Sequence, residues 1–560
     1  MSAVYCTPVF LFMPGVERGE KRRSIKGRAE HRMRFSGRCV WQLRVFDFFF
    51  HMRYNSSIKT EFIRKRRTFS ESCAMFPRRV PFRAEGGDCM SVQKSRNENP
   101  EFIVSEPENK YSRITPYIRK MADLSAHNNG IRPEMYAENK VNRGLRDLNG
   151  KGVVTGLTEI SSIKAKETAP DGSEIPCKGE LRYRGVDVRD LVRGFLGDGR
   201  LGFEETVYLL LFSELPTRAK LERFQETLSF YRSLPTSFVR DMILKAPGKD
   251  MMNVLSRSVL ALYAYDDNPD DISVPNVLRQ CLQLIALFPM LSVYGYQSFQ
   301  HYHRGKSLFI HLPKPGVSTA ECLLQILRED GKYSALEAKI LDLALVLHAE
   351  HGGGNNSTFT VHVVTSSGTD TYSTVAAALG SLKGPRHGGA NVKVVKMFDD
   401  MMNSIDVEDE GQIRDYLVKL LDGQAFDGKG LIYGMGHAVY SLSDPRADIL
   451  MGCARDLSVE KGYEREYALY EKVAKLAPEI IAEKRKIYKG VSPNVDFYSG
   501  LVYRMLELPY ELFTPIFAVA RIAGWSAHRI EEIQNAGKII RPAYVNVKES
   551  KEYIPLDRRK

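Results

Sequence analysis

The stretch SALEAKILDLALVLHAEHGGGNNSTFT, residues 334–360, combines a long apolar helix pattern with an abrupt stop. Ile340, Ala344, Leu347 and His351 are spaced by four, three and four residues, which places them on one face of a helix. Three consecutive glycines then interrupt the helix. The sequence therefore predicts that His351 projects from a helix end into a loop that a ligand can approach.

The same helical spacing recurs through most of the chain. Apolar residues at intervals of three and four predict further helices in four segments, at residues 202–215, 371–382, 496–508 and 511–533. Short strands or extended segments are predicted only at 152–164 and 180–188. We expect an all-α, enzyme-sized protein with a small β element near the start of its body.

The positive charge of the chain is concentrated in its first 89 residues. They hold 19 Lys and Arg against 8 Asp and Glu, a net charge of +11 out of +12 for the whole chain. The remaining residues carry about +1 (12 − 11). The overall basicity is therefore no argument that the body binds nucleic acid.

Three interpretations of residues 1–89 compete. The segment could be a basic arm for nucleic acid, but its aromatic residues do not alternate with basic ones as a stacking surface requires. It could be a transit peptide, since it is rich in Arg, although it shows no amphipathic helix. We expect the third case, translated upstream DNA with the native start at Met90, which mass spectrometry of the native N-terminus would test.

Cysteine usage indicates a reducing compartment. Four cysteines lie in the first 89 residues and four are scattered through the body, with no CxxC pair and no Cys/His cluster at zinc spacing. We expect reduced thiols and a cytoplasmic location. The most apolar run, residues 284–293, contains Pro289 and is shorter than the roughly 20 residues of a membrane span. It predicts a buried core helix.

The pair His348 and His351 invites a metal interpretation. No third ligand lies nearby in the sequence, and the HExxH pattern of zinc peptidases is absent. We therefore expect no metal. A metallohydrolase that uses these two histidines is the alternative, and a chelator such as EDTA would inhibit it.

Three more motifs carry titratable residues beside glycines or at helix starts. They are GSLKGPRHGGAN (380–391), GMGHAVYSLSDPRA (434–447) and NVDFYSG (494–500). The second lacks the third glycine of a dinucleotide-binding loop, since position 439 is Val, so a Rossmann site is excluded. Taken singly, His387 could lie in a solvent-facing turn, and Asp496 could simply stabilise a helix start that Ser492 or Asn494 caps.

Two arginines near the C-terminal end complete the set of candidates. Arg521 lies in FAVARIAGW, on a helix that is apolar nearly all round. A buried arginine requires a carboxylate or an anionic ligand. Arg541, in IIRPAYV, is uninformative alone because it could be exposed.

Together these motifs resemble, in order and at similar intervals, the signatures of the citrate synthase family. The resemblance covers roughly residues 145–545, including GELRYRGVDVRDL at 179–191, and leaves residues 1–89 without a counterpart. It implies an all-α fold and the condensation of acetyl-CoA with oxaloacetate. It also implies acetyl-CoA as a co-substrate, with no permanently bound cofactor.

The resemblance assigns roles to three residues of the reaction. Asp496 matches the base that removes a proton from the acetyl methyl group. His387 matches the donor to the thioester oxygen, where a neutral imidazole serves well. His437 matches the histidine that polarises and then protonates the oxaloacetate carbonyl.

The resemblance also assigns binding roles. Residues matching the groups that bind the two carboxylates of oxaloacetate are His351, Arg446, Arg521 and Arg541. Arg541 would reach in from a second subunit, which implies a homodimer. Asn494 matches a residue beside the thioester, and the backbone from Ile432 through Gly434 to Gly436 matches the loop along the CoA adenine.

The family pattern divides the chain into a large helical domain, 90–389 and 507–560, and a small mobile one, 390–506. One departure concerns Ser441-Leu442-Ser443, where many relatives have a basic residue before the DPR motif. A CoA phosphate contact there is doubtful, and Lys393 or Lys396 could replace it.

Two alternatives remain open beside the metallohydrolase. 2-Methylcitrate synthase uses the same residues with propionyl-CoA, and one methylene group changes binding by only roughly 1–3 kcal/mol. A nucleic-acid-binding protein acting through residues 1–89 is the remote alternative. Deleting that segment should leave condensation activity intact.

Overall fold

The computed structural model describes residues 112–559, apart from 113, 148–150, 438, 487–489 and 536–537. The expectations for residues 1–89, including a start at Met90, lie outside the described residues. The chain divides into two units after Asn128. Among the elements of the described residues, helix α1 (Pro116–His127) belongs to the first unit and the others belong to the second.

The β element is one small antiparallel sheet. Its strands are β1 (Ser161–Thr168), β2 (Glu174–Tyr183) and β3 (Val186–Asp187), paired in the order β1-β2-β3. Of the segment predicted at 152–164 as a strand or extended segment, residues 161–164 belong to β1, while Val154 and Leu157 are exposed outside the sheet. The prediction at 180–188 missed the first half of β2, whose residues are exposed or half-buried.

Helices form nearly all of the remaining regular structure in the part of the chain described. The first group is α2 (Glu134–Glu138), α3 (Val188–Gly197), α4 (Phe203–Phe212), α5 (Arg218–Tyr231), α6 (Met251–Leu262), α7 (Val274–Arg304), α8 (Thr319–Leu327), α9 (Ala335–His348), α10 (Asn356–Thr365) and α11 (Thr371–Lys383). The second group is α12 (Ala390–Ser404), α13 (Glu410–Leu421), α14 (Pro445–Lys461), α15 (Glu464–Arg485), α16 (Val495–Met505) and α17 (Tyr510–Gln534). The expected all-α fold with a minor β element is confirmed.

The core is built around α7 and α17, which pack against each other. Helix α17 also contacts α4, α6 and α9–α11, while α12–α16 pack mainly among themselves. Helix α7 is the one described helix long and apolar enough to span a membrane, but 83% of its most apolar window is buried in the protein. It continues through Pro289, and the prediction of a buried core helix is confirmed.

A buried carboxylate joins the two groups of helices. Glu337, in the first turn of α9, accepts hydrogen bonds from Arg328 at 2.7 and 2.8 Å and from the Nζ of Lys461 at 2.6 Å. Arg328 also donates to the carbonyl of Leu506, just after α16. Burial opposes the ionisation of Glu337, but Arg328 and Lys461 lower the pKa of its carboxyl group to about 2. The proposed division at 390 and 506 stays a prediction.

Candidate active site

The loop after α9 carries His351. The helix ends at His348, so the prediction that it reaches residue 351 was wrong by three residues. Gly352 has φ +85°, and a Cβ there would lie 3.0 Å from Ile163 of β1. The chain therefore turns sharply against the sheet and buries His351, whose Nε2 has no hydrogen-bond partner. A buried, unpaired ring nitrogen is typical of a ligand site.

A second loop is bound to the start of α16. Gly434 and Gly436 have φ +82° and +83°, a conformation that favours glycine. The amide of Asn494 donates to the carbonyl of Gly434 at 2.9 Å, and its side chain donates to the carbonyl of Gly436 at 2.8 Å. A Cβ on Gly434 would lie 2.9 Å from Phe497. The close approach of two backbones thus fixes this loop, in which Ile432 is buried.

His437 follows this loop, and its tautomer is fixed by the backbone. Its Nδ1 accepts hydrogen bonds from the amides of Val439 and Tyr440, at 3.0 and 3.2 Å. A neutral ring must then carry its proton on Nε2. Burial, together with the charge of Arg446, lowers the pKa of His437 to about 4. His437 is therefore a neutral donor, and its ring centre lies 5.0 Å from that of His351.

Arg446 lies in the first turn of α14 with its own counter-ion. Asp444 caps this helix and accepts two bonds from the guanidinium, at 3.0 Å from Nε and 2.7 Å from Nη2. Both side chains are buried. Burial favours loss of the proton, but Asp444 raises the pKa of Arg446 above its usual value. The pair holds a fixed cation at the start of the helix.

Asp496 lies in the first turn of α16. Asn494 is the N-cap, since its side-chain oxygen accepts from the amide of Asp496 at 2.9 Å. The expectation that Ser492 or Asn494 caps this helix is confirmed, with Asn494 as the cap. Burial raises the pKa of the Asp496 carboxyl to about 6, with Arg446 opposing the increase. A carboxylate with a raised pKa is suited to accept a proton near neutral pH.

His387 lies in the turn between α11 and α12. Its amide donates to the carbonyl of Gly384 at 2.8 Å, and a Cβ on Gly388 would lie 2.4 Å from the carbonyl oxygen of Leu382. The turn therefore requires glycine beside the histidine. The Nε2 of His387 lies 3.1 Å from the Oγ of Ser357. Burial lowers the pKa of His387 to about 4, so this ring is also neutral.

Arg521 projects from the buried middle of α17. Its side chain is fully buried, its Nε donates to the carbonyl of His348 at 2.7 Å, and its Nη1 has no partner. Burial lowers the pKa of Arg521 to about 10, with Glu350 opposing the decrease. The unpaired N–H group is a donor without an acceptor, as expected of a site that binds a carboxylate.

Electrostatic coupling ties these side chains into one site. The positive charge of Arg446 lowers the pKa values of His351, His437 and Asp496. That of Arg521 lowers the pKa values of His351, His387 and Asp496. The distant motifs therefore converge around two guanidinium groups.

Three of the residues predicted to bind ligands are exposed, in contrast to the buried side chains described above. Arg541 is exposed after α17 and makes no hydrogen bond or ion pair with any other described residue. Lys393 pairs with Asp427 at 2.9 Å, which weakens the idea that it replaces the missing basic residue. Lys396 is exposed. Two surface cavities of about 500 and 640 Å³ border Phe230 and are lined by none of the predicted site residues.

The sequence was compared with models of known protein families. A family model described as citrate synthase, C-terminal domain, matches residues 147–543. The chain belongs to the citrate synthase family. It is therefore an enzyme.

Relatives of this citrate synthase family member include two kinds of enzyme. Citrate synthase of Synechocystis sp. is 34% identical over 413 residues, which are 72% of this chain and 93% of the relative. 2-Methylcitrate synthase 1 of Corynebacterium glutamicum is 31% identical over 428 residues, 76% of this chain and 100% of the relative. Family membership alone thus leaves the acyl-CoA substrate undecided.

Solved structures of citrate synthases share the fold. The enzyme of Thermoplasma acidophilum, in a ternary complex with carboxymethyl coenzyme A and oxaloacetate, matches with a TM-score of 0.62 at 27% identity. That match covers 75% of this chain and 99% of the other. The Thermotoga maritima enzyme matches with a TM-score of 0.57 at 29% identity, covering 73% and 98%.

Sequence reasoning missed several side chains that support the site of this citrate synthase family member. Ser357 contacts His387, Asp444 pairs with Arg446, and the Tyr440 ring lies 5.0 Å from that of His437. Asp444 stands two residues before Arg446, and this spacing could have indicated a helix-capping partner. Ser357 carried no such signal, because its contact depends on tertiary structure.

Proposed function

We propose that this enzyme condenses acetyl-CoA with oxaloacetate and water to give citrate and CoA. The observation that carries the proposal is the combination of a carboxyl group of raised pKa with two neutral imidazoles around two guanidinium groups. Removing a proton from a thioester methyl group requires a base and a donor that acts on the developing enolate at the same time.

In the proposed first step, ionised Asp496 takes a proton from the acetyl methyl group. His387 donates a hydrogen bond to the thioester oxygen. For Nδ1 to be the donor, the Ser357 hydroxyl must donate to Nε2 of His387 rather than to Asn355, which lies 2.9 Å from it. The neutral imidazole would thereby stabilise the negative charge that develops on the thioester oxygen.

In the second step, the enol carbon attacks the ketone carbon of oxaloacetate. The Nε2–H of His437 polarises the ketone oxygen and then protonates the alkoxide that forms. Water hydrolyses the resulting citryl thioester, with release of the CoA thiol. No step requires a metal ion.

His351, Arg446 and Arg521 would hold the carboxylates of oxaloacetate. Support comes from the unpaired His351 Nε2 and Arg521 Nη1. We further propose a cytoplasmic homodimer in which Arg541 of each subunit completes the site of the other. The exposure of Arg541 in the single chain is compatible with that role. Asn494 and the 432–436 loop would contact CoA.

A second candidate, 2-methylcitrate synthase, is favoured by the 2-methylcitrate synthases among the relatives. The deciding experiment is thiol release by the purified full chain with oxaloacetate and either acetyl-CoA or propionyl-CoA. We expect the higher kcat/KM with acetyl-CoA. A preference for propionyl-CoA would select the second candidate, and no thiol release with either would contradict both.

A further inference from the structure

Four titratable side chains form a row that begins beside the site. Glu350 Oε1 lies 3.1 Å from Nε2 of His528, and Nδ1 of His528 lies 3.1 Å from Nε2 of His362. Nδ1 of His362 lies 2.7 Å from Oε2 of Glu532. We call these four residues the histidine relay. Its inner end is fully buried, while the Glu532 side chain is 21% exposed.

The relay requires one proton more than two neutral imidazoles carry. Three contacts separate its four groups: two have hydrogen-bond geometry, and the inner one, between Glu350 and His528, is a close approach without it. Each joins two atoms that repel each other unless one of them carries a proton. Two neutral rings between two ionised carboxylates supply two protons, whichever tautomers the rings adopt. The third contact would then place two lone pairs about 3 Å apart in a buried site, which is unfavourable. The geometry therefore points to an additional proton in the relay.

The charges facing the relay come from every element around it. Glu350 also lies beside Ser161 of β1, at 3.0 Å, and interacts with Arg521. Glu531 Oε2 lies 3.8 Å from Nδ1 of His528, and Glu531 interacts with Arg184. Burial opposes the ionisation of Glu350, but His528 and Arg521 lower the pKa of its carboxyl group to about 2. Glu350 is thus ionised. Burial and His528 lower the pKa of His362, and Glu532 opposes this decrease.

Glu350 connects the relay to the substrate site. It precedes His351, and among the groups around Arg521 it exerts the largest electrostatic effect. If Glu350 had no other cation, its charge would cancel that of Arg521. Arg446 is already balanced by Asp444. The additional relay proton leaves Arg521 with charge to offer an incoming carboxylate.

We propose that His528 and His362 are positioning residues, which hold a shared proton that neutralises Glu350 and so frees Arg521 to bind a carboxylate of the substrate. This inference rests on the proposed function, since it takes oxaloacetate as the anion. The relay touches no reacting atom. Loss of its proton at alkaline pH should weaken oxaloacetate binding and leave kcat at saturation nearly unchanged.

The first test is Glu532→Gln, at the outer end of the relay. Removing this anion should release the proton at lower pH. We expect the alkaline loss of oxaloacetate affinity, measured by calorimetry, to move down by about half to one pH unit. Glu511→Gln, at the start of α17, is the matched control and should follow the unmodified chain. If oxaloacetate affinity depends on pH in the same way for Glu532→Gln and the unmodified chain, the proposal is overturned.

The second test counts protons directly. In a chain labelled with ¹⁵N-histidine, assigned through His528→Asn and His362→Gln, we expect one of the two rings to be protonated on both nitrogens at neutral pH. Two neutral rings would overturn the proposal. His528→Asn keeps a neutral N–H donor, and we expect it to bind oxaloacetate about tenfold more weakly at neutral pH, a factor that equals 1.4 kcal/mol. Unchanged affinity in a folded His528→Asn variant would also count against the relay.

The two proposals fail in different ways. If the chain releases no thiol with either acyl-CoA, the proposed function fails, but the NMR proton count still tests the relay. If thiol release occurs and the relay rings are both neutral, only the relay proposal fails.

Discussion

The hydroxyl of Ser357 lies 3.1 Å from Nε2 of His387, although 30 residues separate the two in sequence. The same oxygen accepts a hydrogen bond from the indole of Trp525, at 3.2 Å. Trp525 belongs to α17, Ser357 to α10, and His387 to the turn after α11. One hydroxyl therefore joins three segments and orients a ring that we propose acts on the thioester.

Ser357→Ala should lower kcat about tenfold with little change in KM for oxaloacetate. The variant removes a hydrogen bond worth roughly 1–1.5 kcal/mol, and 1.36 kcal/mol corresponds to a factor of ten in rate. Steady-state kinetics would measure it. Thr360→Ala, which removes an exposed hydroxyl from the same helix, is the control and should retain full activity. Equal kcat values for Ser357→Ala and the unmodified chain would contradict the positioning of His387 by Ser357.

Asp496→Asn should lose about 10²–10⁴-fold in turnover, the usual contribution of a general base. The amide retains the size of the side chain, so oxaloacetate binding should be largely unchanged. Thiol release gives the first quantity and calorimetry the second. Surviving turnover would show that another group takes the methyl proton.

The activity should have an acid limb near pH 6. Asp496 accepts a proton only when ionised, and its pKa is raised to about 6, so kcat should fall as the pH drops below that value. His387 and His437 have pKa values lowered to about 4 and stay neutral across this range. The measurement is kcat from pH 5 to pH 9 at saturating substrates. A flat profile down to pH 5 would be incompatible with the base assignment.

Arg521→Leu should raise the dissociation constant for oxaloacetate at least about 30-fold. Truncating one partner of a buried charge pair costs roughly 2–5 kcal/mol, and 2 kcal/mol corresponds to that factor. Binding calorimetry would measure it. Arg455→Leu, which removes an exposed arginine paired with Glu471, is the control. Unchanged affinity in the Arg521 variant would exclude this guanidinium from the carboxylate site.

Two glycine-to-alanine substitutions should have opposite effects. At Gly434, the positive φ and the contact with Phe497 should make alanine destabilising and push the 432–436 loop away from α16. At Gly452, in the exposed middle of α14, a Cβ meets no atom within 4 Å. Alanine there should add roughly 0.5–1 kcal/mol of stability. Thermal unfolding of both variants checks the pair, and a more stable Gly434→Ala variant would contradict the close approach.

Much of the helical fold could be predicted from apolar periodicity. The segment predicted at 371–382 is α11 (Thr371–Lys383), and that at 511–533 is α17 (Tyr510–Gln534). Such buried helices carry apolar residues on a broad face, so the signal is strong. The first half of β2 was missed, because its residues are exposed or half-buried and show no regular alternation of apolar and polar side chains.

The site could be predicted only in part. The motifs with His387, His437 and Asp496 indicated its titratable groups, and glycine beside each histidine indicated a turn. Partners from distant helices could not be predicted, since 30 residues separate Ser357 from His387 and 178 residues separate Glu350 from His528 (528 − 350). Periodicity describes which face of a helix is buried, but not which residue of a distant helix lies against it.

The junction at Glu337 has a consequence for how the protein melts. Detaching α12–α16 would remove Lys461 from the Glu337 carboxylate, which is 3% exposed, and the carbonyl of Leu506 from Arg328, while Arg328 itself would stay paired with Glu337. Melting of these helices alone therefore breaks one interaction of Glu337 and one of Arg328. In a calorimeter, residues 129–560 should absorb heat in one cooperative peak rather than two.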